Sequence, residues 1–165
     1  MGVAVANREH GMKWAVGKET CRHLRESLCQ EWMETNRLGD SASSTVVGCH
    51  TRRYHGLLTA RLGDGMGPHL LLSAVDETLG LAARTFDLAC HNYPGVFSPR
   101  GHESLESVEG DAWPRFRYRL GECVFTRELL LLPDQHTLLI RYQADGLPKT
   151  AWLRLTPLLA FRRHH

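Results

Sequence analysis

The sequence predicts a mainly β protein, an antiparallel β-sandwich preceded by one short helix near the N-terminus. The first observation is a series of apolar runs of strand length in the last third of the chain, separated by short clusters rich in Pro, Asp and Gly. The second is the run 115–120, which alternates arginine with Phe, Tyr and Leu. This period of two is typical of a strand with one wet face and one buried face.

Before the strands, the pattern changes twice. Residues 1–17 are predicted to be loosely ordered, because glycines interrupt any periodicity. A short helix is predicted within residues 18–30, where one cysteine and two leucines fall on a single helical stripe. The following stretch, 31–48, is rich in Asn, Gly, Asp and Ser, and this composition indicates a loop.

Strand patterns begin after the loop and are interrupted once. A glycine-rich cluster at 63–68 predicts a turn between the first two strands. Residues 80–114 are predicted to be irregular, because their prolines lack the N–H that a sheet ladder requires. The predicted strands are 54–62, 69–79, 115–120, 123–132, 136–143 and 150–159.

Composition limits the function classes. The 165 residues suit one domain or part of a larger one, and a net charge of +2 is too small to indicate nucleic acid as a partner. A membrane partner is not predicted, because no apolar run approaches the roughly 20 residues of a membrane span. Neither a signal peptide nor a C-x-x-C pair is recognisable, so the five cysteines predict free thiols and a cytoplasmic location.

Neither a cofactor nor a metal site is predicted. His50 and His55 are too isolated for a zinc motif, and Cys49 beside His50 is only a sequence neighbour, not a catalytic triad. The glycine-rich cluster at 63–68 lacks the Gly-Lys-Ser/Thr ending of a phosphate-binding loop. We interpret the histidines as hydrogen-bonded or solvated side chains, and the glycine-rich cluster as a hairpin turn.

Paired carboxylates, which a glycosidase needs, are not recognisable either. Asp76 and Glu77 are neighbours in a predicted strand, so their side chains point to opposite faces and cannot serve one site. We interpret both as a solvated strand end. Glu31 and Glu34 flank Trp32 in the predicted loop.

The stretch 51–56, Thr-Arg-Arg-Tyr-His-Gly, is the strongest candidate for function. It combines guanidinium forks, a flat aromatic face and an imidazole, a mixture that suits a polyol ligand. The alternative is a buried polar network that holds the predicted loop against the sheet. Including similar residues shortly upstream, the candidate site residues are Glu31, Trp32, Asn36, Arg52, Arg53, Tyr54 and His55.

The region 31–58 resembles the signature block of bacterial and archaeal type glycogen debranching enzymes, in their N-terminal domain. Segments at 87–88, 93–95, 98–101, 113–118 and 157–162 also fit in order, so the resemblance covers about 20–163. The matching positions of the block are Glu31, Trp32, Thr35, Asn36, Gly39, Thr45, Gly48, Thr51, Arg52, Arg53, Tyr54, His55, Gly56, Leu57 and Leu58.

Two positions depart from the family pattern. Arg37 and Asp40 stand where the family usually has glycine. If those positions require positive φ, each substitution carries a strain of roughly 1 kcal/mol.

The resemblance implies a fold, an activity of the parent enzyme and a separation of roles between its domains. It implies a supersandwich-like antiparallel domain that precedes an (α/α)-barrel, and the barrel carries the carboxylic acids that hydrolyse α-1,6 branch points of glycogen. We therefore expect a domain over 18–165 that is truncated at its C-terminal end and has no catalytic residue of its own. The partners implied are an α-glucan and the absent catalytic domain.

Two alternatives to a substrate-binding or scaffold domain stay open. One is a stand-alone carbohydrate-binding module, for which Trp113 and Trp152 are the candidate exposed aromatics. The other is a structural fragment without ligand affinity. An unfinished sandwich is expected to leave an unpaired edge strand near 151–159, which favours a homodimer.

Overall fold

The computed structural model of the chain describes residues 3–5 (backbone only), 13–63 and 65–165. Its fourteen strands confirm a mainly β protein. They are β1 (Val3–Val5), β2 (Trp14–Val16), β3 (Glu31–Thr35), β4 (Ser41–Thr45), β5 (Gly56–Leu62), β6 (Gly67–Leu81), β7 (Arg84–Asp87), β8 (Cys90–Tyr93), β9 (Val96–Arg100), β10 (Leu105–Gly110), β11 (Pro114–Leu120), β12 (Cys123–Leu131), β13 (Leu138–Asp145) and β14 (Trp152–Arg163).

Two sheets and one hairpin make up the fold. The larger sheet has the order β1-β3-β4-β5-β6-β14, with β7 also paired to the long strand β6. The second sheet has the order β13-β12-β11-β10-β2, and β8 pairs with β9 in a separate hairpin. All pairs are antiparallel except β1 with β3. This arrangement is consistent with the predicted antiparallel β-sandwich.

The hydrophobic core draws on both sheets. Trp32 of β3 meets Phe116 of β11 edge to face, with ring centroids 5.8 Å apart. Along β11 the side chains alternate between buried and exposed, as the period of two predicted. All six predicted strands correspond to observed ones, namely β5, β6, β11, β12, β13 and β14.

The predicted helix is present but divided. It forms α1 (Lys18–Arg22) and α2 (Leu24–Ser27), which meet at His23 in an extended conformation. Cys21 is buried, and Leu24 and Leu28 pack against the core. The predicted stripe therefore faces the sandwich despite the break.

The prediction of a loop over 31–48 is wrong, because this stretch contains β3 and β4. In β4 the small residues Ala42 to Thr45 are all buried between neighbouring strands. The Thr45 hydroxyl donates to the Cys49 carbonyl at 2.8 Å, which satisfies a polar group inside the sheet. Serine and threonine suggested a loop, but here they fill a closely packed strand.

Residues 80–114, predicted to be irregular, also contain strands. They include β7 to β10 and a 3₁₀ helix, Gly101–Ser104. The prolines occupy positions that strands tolerate: Pro94 lies in the turn between β8 and β9, and Pro114 is the first residue of β11. Pro99 lies within β9, which pairs on one side only, with β8.

The predicted first strand begins two residues later than expected, at Gly56, and Arg52 to Tyr54 form a turn. Arg37 and Asp40 do not have positive φ, whereas Gly39 between them does, at 80°. The strain considered for the two departures from the family pattern is therefore absent. About half of the predicted loosely ordered segment 1–17 lies outside the described residues, but Trp14–Val16 form β2, which pairs with β10, so the prediction is wrong there.

Helices long and apolar enough to cross a membrane are absent from the part of the chain that the structure describes.

Candidate functional site

The candidate stretch forms a tight turn that enters β5. The backbone N–H of His55 donates to the Arg52 carbonyl at 3.2 Å and closes the turn. The hydroxyl of Ser43 donates to the Tyr54 carbonyl at 3.4 Å and ties the turn to β4. Gly56 follows, and a Cβ there would come within 2.1 Å of Leu70 Cδ1, so a larger residue would require the Leu70 side chain to move.

Glu31, Arg52 and His55 form one cluster beneath this turn. Arg52 donates from Nε to Glu31 Oε1 at 2.5 Å, and His55 Nε2 lies 3.5 Å from the same oxygen. The backbone N–H of Thr51 donates to His55 Nδ1 at 3.2 Å, so this nitrogen is unprotonated and the ring proton is on Nε2. The cluster braces the turn through the buried His55 and the mostly buried Glu31, while the Arg52 side chain is half exposed.

The electrostatics of the cluster keep His55 neutral. Burial lowers the pKa of His55, although the nearby Glu31 carboxylate acts in the opposite direction. The hydrogen bond to Glu31 raises the pKa of Arg52, which is charged in any case. The single positive charge of Arg52 therefore balances Glu31.

Arg53 and Tyr54 are presented outward from the same turn. The Tyr54 side chain is 48% exposed, and its ring lies against His164, with centroids 4.7 Å apart. Arg162 donates from Nη2 to the Arg53 carbonyl at 2.6 Å, which links the turn to the end of β14. Within the described residues, the Arg53 side chain has no hydrogen bond or ion pair.

Trp32 lies in the core rather than on a surface. Its side chain is buried, and Nε1 donates to the Thr45 carbonyl at 3.2 Å. The ring packs on Phe116 of the opposite sheet. Trp32 therefore supports the turn through the strand that also carries Glu31.

Asn36 holds the β3–β4 hairpin to the β12–β13 hairpin. Its Nδ2 donates to the Leu132 carbonyl and to Asp40 Oδ2, both at 2.9 Å. Asp40 is fully buried and accepts from the backbone N–H of Arg61 at 3.0 Å, while His136 Nδ1 lies 2.9 Å away. The aspartate that departs from the family pattern is thus the centre of a hydrogen-bond network.

His91, Asp76 and His50 form a second polar group beside the turn, and the sequence analysis did not identify this group as a site. His91 of β8 lies with Nε2 2.9 Å from both carboxylate oxygens of Asp76 on β6. The ring of His50 lies 5.8 Å from that of His55, and burial lowers the pKa of His50 to about 4. The one sequence signal for this group is the position of His50 inside the signature region 31–58.

The interpretation of Asp76 and Glu77 as a solvated strand end is wrong. They lie inside β6, and Glu77 is buried on the core side. Its carboxylate accepts from Arg127 Nη1 at 3.1 and 3.2 Å and from the Tyr142 hydroxyl at 2.9 Å. The two carboxylates do have separate environments, as alternation along a strand requires.

A small cavity lies behind these groups, bordered by Ser44, His50, His91 and Arg127 among others. Its volume of about 20 Å³ holds one water molecule but no sugar ring. Ser44 Oγ and Arg127 Nε are buried without a hydrogen-bond partner, so both can use such a water. A sugar ring therefore does not fit in this cavity.

Metal binding has no candidate in the described part of the chain. Groups of three or more His, Cys, Asp or Glu side chains placed to hold an ion are absent there.

Comparison with known proteins gives one match. A family model described as glycogen debranching enzyme N terminal matches residues 30–165. This range contains β3 to β14 and the whole turn. No curated protein and no solved structure matches the chain.

Proposed function

Because the chain belongs to the glycogen debranching enzyme N-terminal family, we propose that it binds α-glucan and supports the catalytic domain of an enzyme that hydrolyses α-1,6 branch points. The signature block in 31–58 further supports an enzyme of the bacterial and archaeal type. Binding takes place on the turn that carries Arg53 and Tyr54.

The arrangement of that turn is the observation that carries the proposal. Glu31 pairs with Arg52 and His55, whereas Arg53 makes no ion pair within the described residues. Tyr54 packs against His164 on one side and is still 48% exposed, so both side chains can reach an external ligand. A guanidinium offers paired donors to vicinal hydroxyls, and a phenol ring offers an apolar face to a pyranose. A turn fixed in advance loses little conformational entropy when it binds.

Catalysis is assigned to another domain of the parent enzyme. The carboxylates around the turn are already engaged: Glu31 by Arg52, Asp76 by His91 and Glu77 by Arg127. A glycosidase requires one carboxylic acid and one carboxylate that face the scissile bond. This chain contributes recognition and support to that reaction.

A cytoplasmic location is part of the proposal. All five cysteines are free thiols, four of them buried. Buried free thiols are common in proteins of reducing compartments.

Calorimetric titration with a branched maltooligosaccharide tests the proposal. We expect saturable binding by the wild type and about a tenfold or greater loss of affinity in Arg53→Ala, because the variant removes paired donors. Arg25→Ala is the matched control, since it removes the same charge from an exposed position on α2. It should bind like the wild type.

Circular dichroism of both variants confirms that they are folded before titration. Absence of binding by a folded wild type would contradict recognition by this domain, and would favour a role of the turn in docking the catalytic domain. An equal loss of affinity in Arg53→Ala and Arg25→Ala would show a general effect of charge rather than a binding site on the turn.

A further inference from the structure

Basic side chains gather on the outer side of the candidate turn, where the end of β14 reaches it. Arg162 of β14 donates from Nη2 to the Arg53 carbonyl at 2.6 Å. The ring of Tyr54 lies 4.7 Å from that of His164 and 5.6 Å from that of His165, measured between centroids. The turn and the end of β14 therefore place two arginines and two imidazoles around one tyrosine.

Backbone pairing holds the end of β14 in this place. Arg162 is paired with Leu70 of β6, and the backbone N–H of His164 donates to the Pro68 carbonyl at 2.9 Å. Arg162 and His164 are two positions apart in an extended chain, so their side chains share one face. Both side chains contact the turn. The basic groups are therefore fixed by the sheet before any ligand binds.

The carboxylates beside the turn do not neutralise this charge. Glu31 and Asp76 already have basic partners of their own. The Arg53 side chain has no hydrogen bond or ion pair within the described residues, and the guanidinium of Arg162 contacts a neutral carbonyl instead of a carboxylate. Two guanidinium charges therefore lie on this surface without a counter-ion from the described part of the chain.

The titration of His164 agrees with an excess of positive charge. Burial is the largest cause that lowers the pKa of His164. The positive groups around it lower this pKa further, and they are His165, Arg162 and Arg53. An anion bound among these groups would offset their mutual repulsion.

We propose that the outer side of the turn binds a phosphate monoester, and that the ligand is a phosphorylated sugar. A phosphate monoester carries roughly −1.5 to −2 charges near pH 7, which matches the two arginines. The planar donors of Arg53 and Arg162 suit phosphate oxygens, and the sugar ring lies on Tyr54. The sugar part of this inference rests on the proposed function, whereas phosphate recognition depends on the arginines alone.

An NMR titration of the folded wild type tests the proposal, with glucose 6-phosphate, glucose and inorganic phosphate as separate ligands in a buffer without phosphate. We expect glucose 6-phosphate to bind about tenfold or more tightly than glucose, because hydrogen bonds to charged groups are added. Added salt should weaken the binding of glucose 6-phosphate. Equal affinities for glucose 6-phosphate and glucose would overturn the proposal. Inorganic phosphate that binds as tightly as glucose 6-phosphate would overturn its sugar part.

Two neighbouring arginines of β14 provide a matched pair of variants. Arg162→Gln removes the charge and keeps a donor for the Arg53 carbonyl, so we expect about a tenfold loss of affinity for glucose 6-phosphate and little change for glucose. Arg163→Gln is the control. Its side chain shares the face of Phe161, which packs on His69 with ring centroids 5.1 Å apart. Equal losses in the two variants would contradict a phosphate site beside the turn.

The imidazole of His164 gives a second readout in the wild type, which decides the matter if Arg162→Gln does not fold. A phosphate beside the ring favours the protonated form, so the pKa of His164 should rise when glucose 6-phosphate is bound. An unchanged pKa at saturation would overturn the placement of the phosphate.

Failure of this inference can be distinguished from failure of the proposed function. If glucose 6-phosphate binds but the branched maltooligosaccharide does not, recognition of glucan is wrong and phosphate recognition is supported. If the maltooligosaccharide binds and glucose 6-phosphate binds no more tightly than glucose, the phosphate site is wrong and the proposed function is unaffected.

Discussion

Arg127 and Glu77 join the two sheets through a buried ion pair. Arg127 belongs to β12 and Glu77 to β6, and their side chains are only 8% and 1% exposed. The guanidinium also lies over the ring of Phe116, with its carbon 4.4 Å from the centroid. A paired charge is tolerated in a core, but a single charge left there is strongly destabilising.

Replacing one partner should therefore cost more than replacing both. We expect Arg127→Met to lower the free energy of unfolding by about 3–5 kcal/mol, because Glu77 is left buried without its cation. Urea denaturation measures this loss. In the double variant Arg127→Met/Glu77→Leu, a large part of the loss should be recovered, since no buried charge remains.

The exposed pair Arg37 and Asp134, 3.5 Å apart, provides the control, and Arg37→Met should change stability little. A double variant as unstable as the single one would refute the explanation by an unpaired charge.

His50 should make stability depend on pH. Its pKa is lowered by burial from 6.5 to about 4, so the folded state binds a proton less readily than the unfolded state. As pH falls from 6.5 towards 4, the unfolded state gains a proton that the folded state does not, and stability decreases by at most roughly 3 kcal/mol. Below pH 4 this contribution no longer changes.

Urea titrations across this range, on wild type and His50→Gln, isolate the effect. The variant should lose less stability than the wild type between pH 6.5 and 4, because it cannot be protonated. If the wild type and His50→Gln lost the same stability between pH 6.5 and 4, the pKa of His50 would not be lowered in the folded state.

The sequence identified the candidate turn but could not divide its residues by role. Arg52 and Arg53 are adjacent and chemically identical, yet one pairs with Glu31 and the other faces outward. Trp32 and Asn36 have the chemistry of sugar contacts, but the structure places Trp32 in the core and Asn36 between two hairpins. The residue type determines what a side chain can bind, whereas the direction in which the side chain points depends on the register of the strand or turn.

At the scale of elements, strands with a regular apolar pattern were predictable and strands made of small polar residues were not. β11 shows its burial in the alternation of arginine and aromatic residues. β4 has the sequence Ser-Ala-Ser-Ser-Thr, whose local preference is for turns, and only its neighbours β3 and β5 make it a strand. Tertiary pairing therefore overrode local preference where the side chains were too small to show a pattern.

At the scale of the whole molecule, one side is left uncovered by the two sheets within the residues that the structure describes. β14 ends the order of the larger sheet, and almost all its side chains are exposed. Leu159 and Phe161 are 79% and 69% exposed. Contiguous apolar surface of this kind marks interaction sites or association in soluble proteins. Pro157 lies within β14 and lacks an N–H, which weakens edge-to-edge pairing and favours contact through side chains.

We therefore propose that two copies of the chain associate through the side chains of β14, and we expect sedimentation velocity to show a dimer whose fraction rises with concentration. The double variant Leu159→Lys/Phe161→Lys should shift the species towards monomer, because it places charges at the contact and leaves the backbone pairs with β6 in place. Val96→Lys is the matched control, since Val96 is 54% exposed on β9, away from β14 in the sheet order. A wild type that stays monomeric at every concentration would contradict association through β14, and an equal effect of Val96→Lys would place the contact elsewhere.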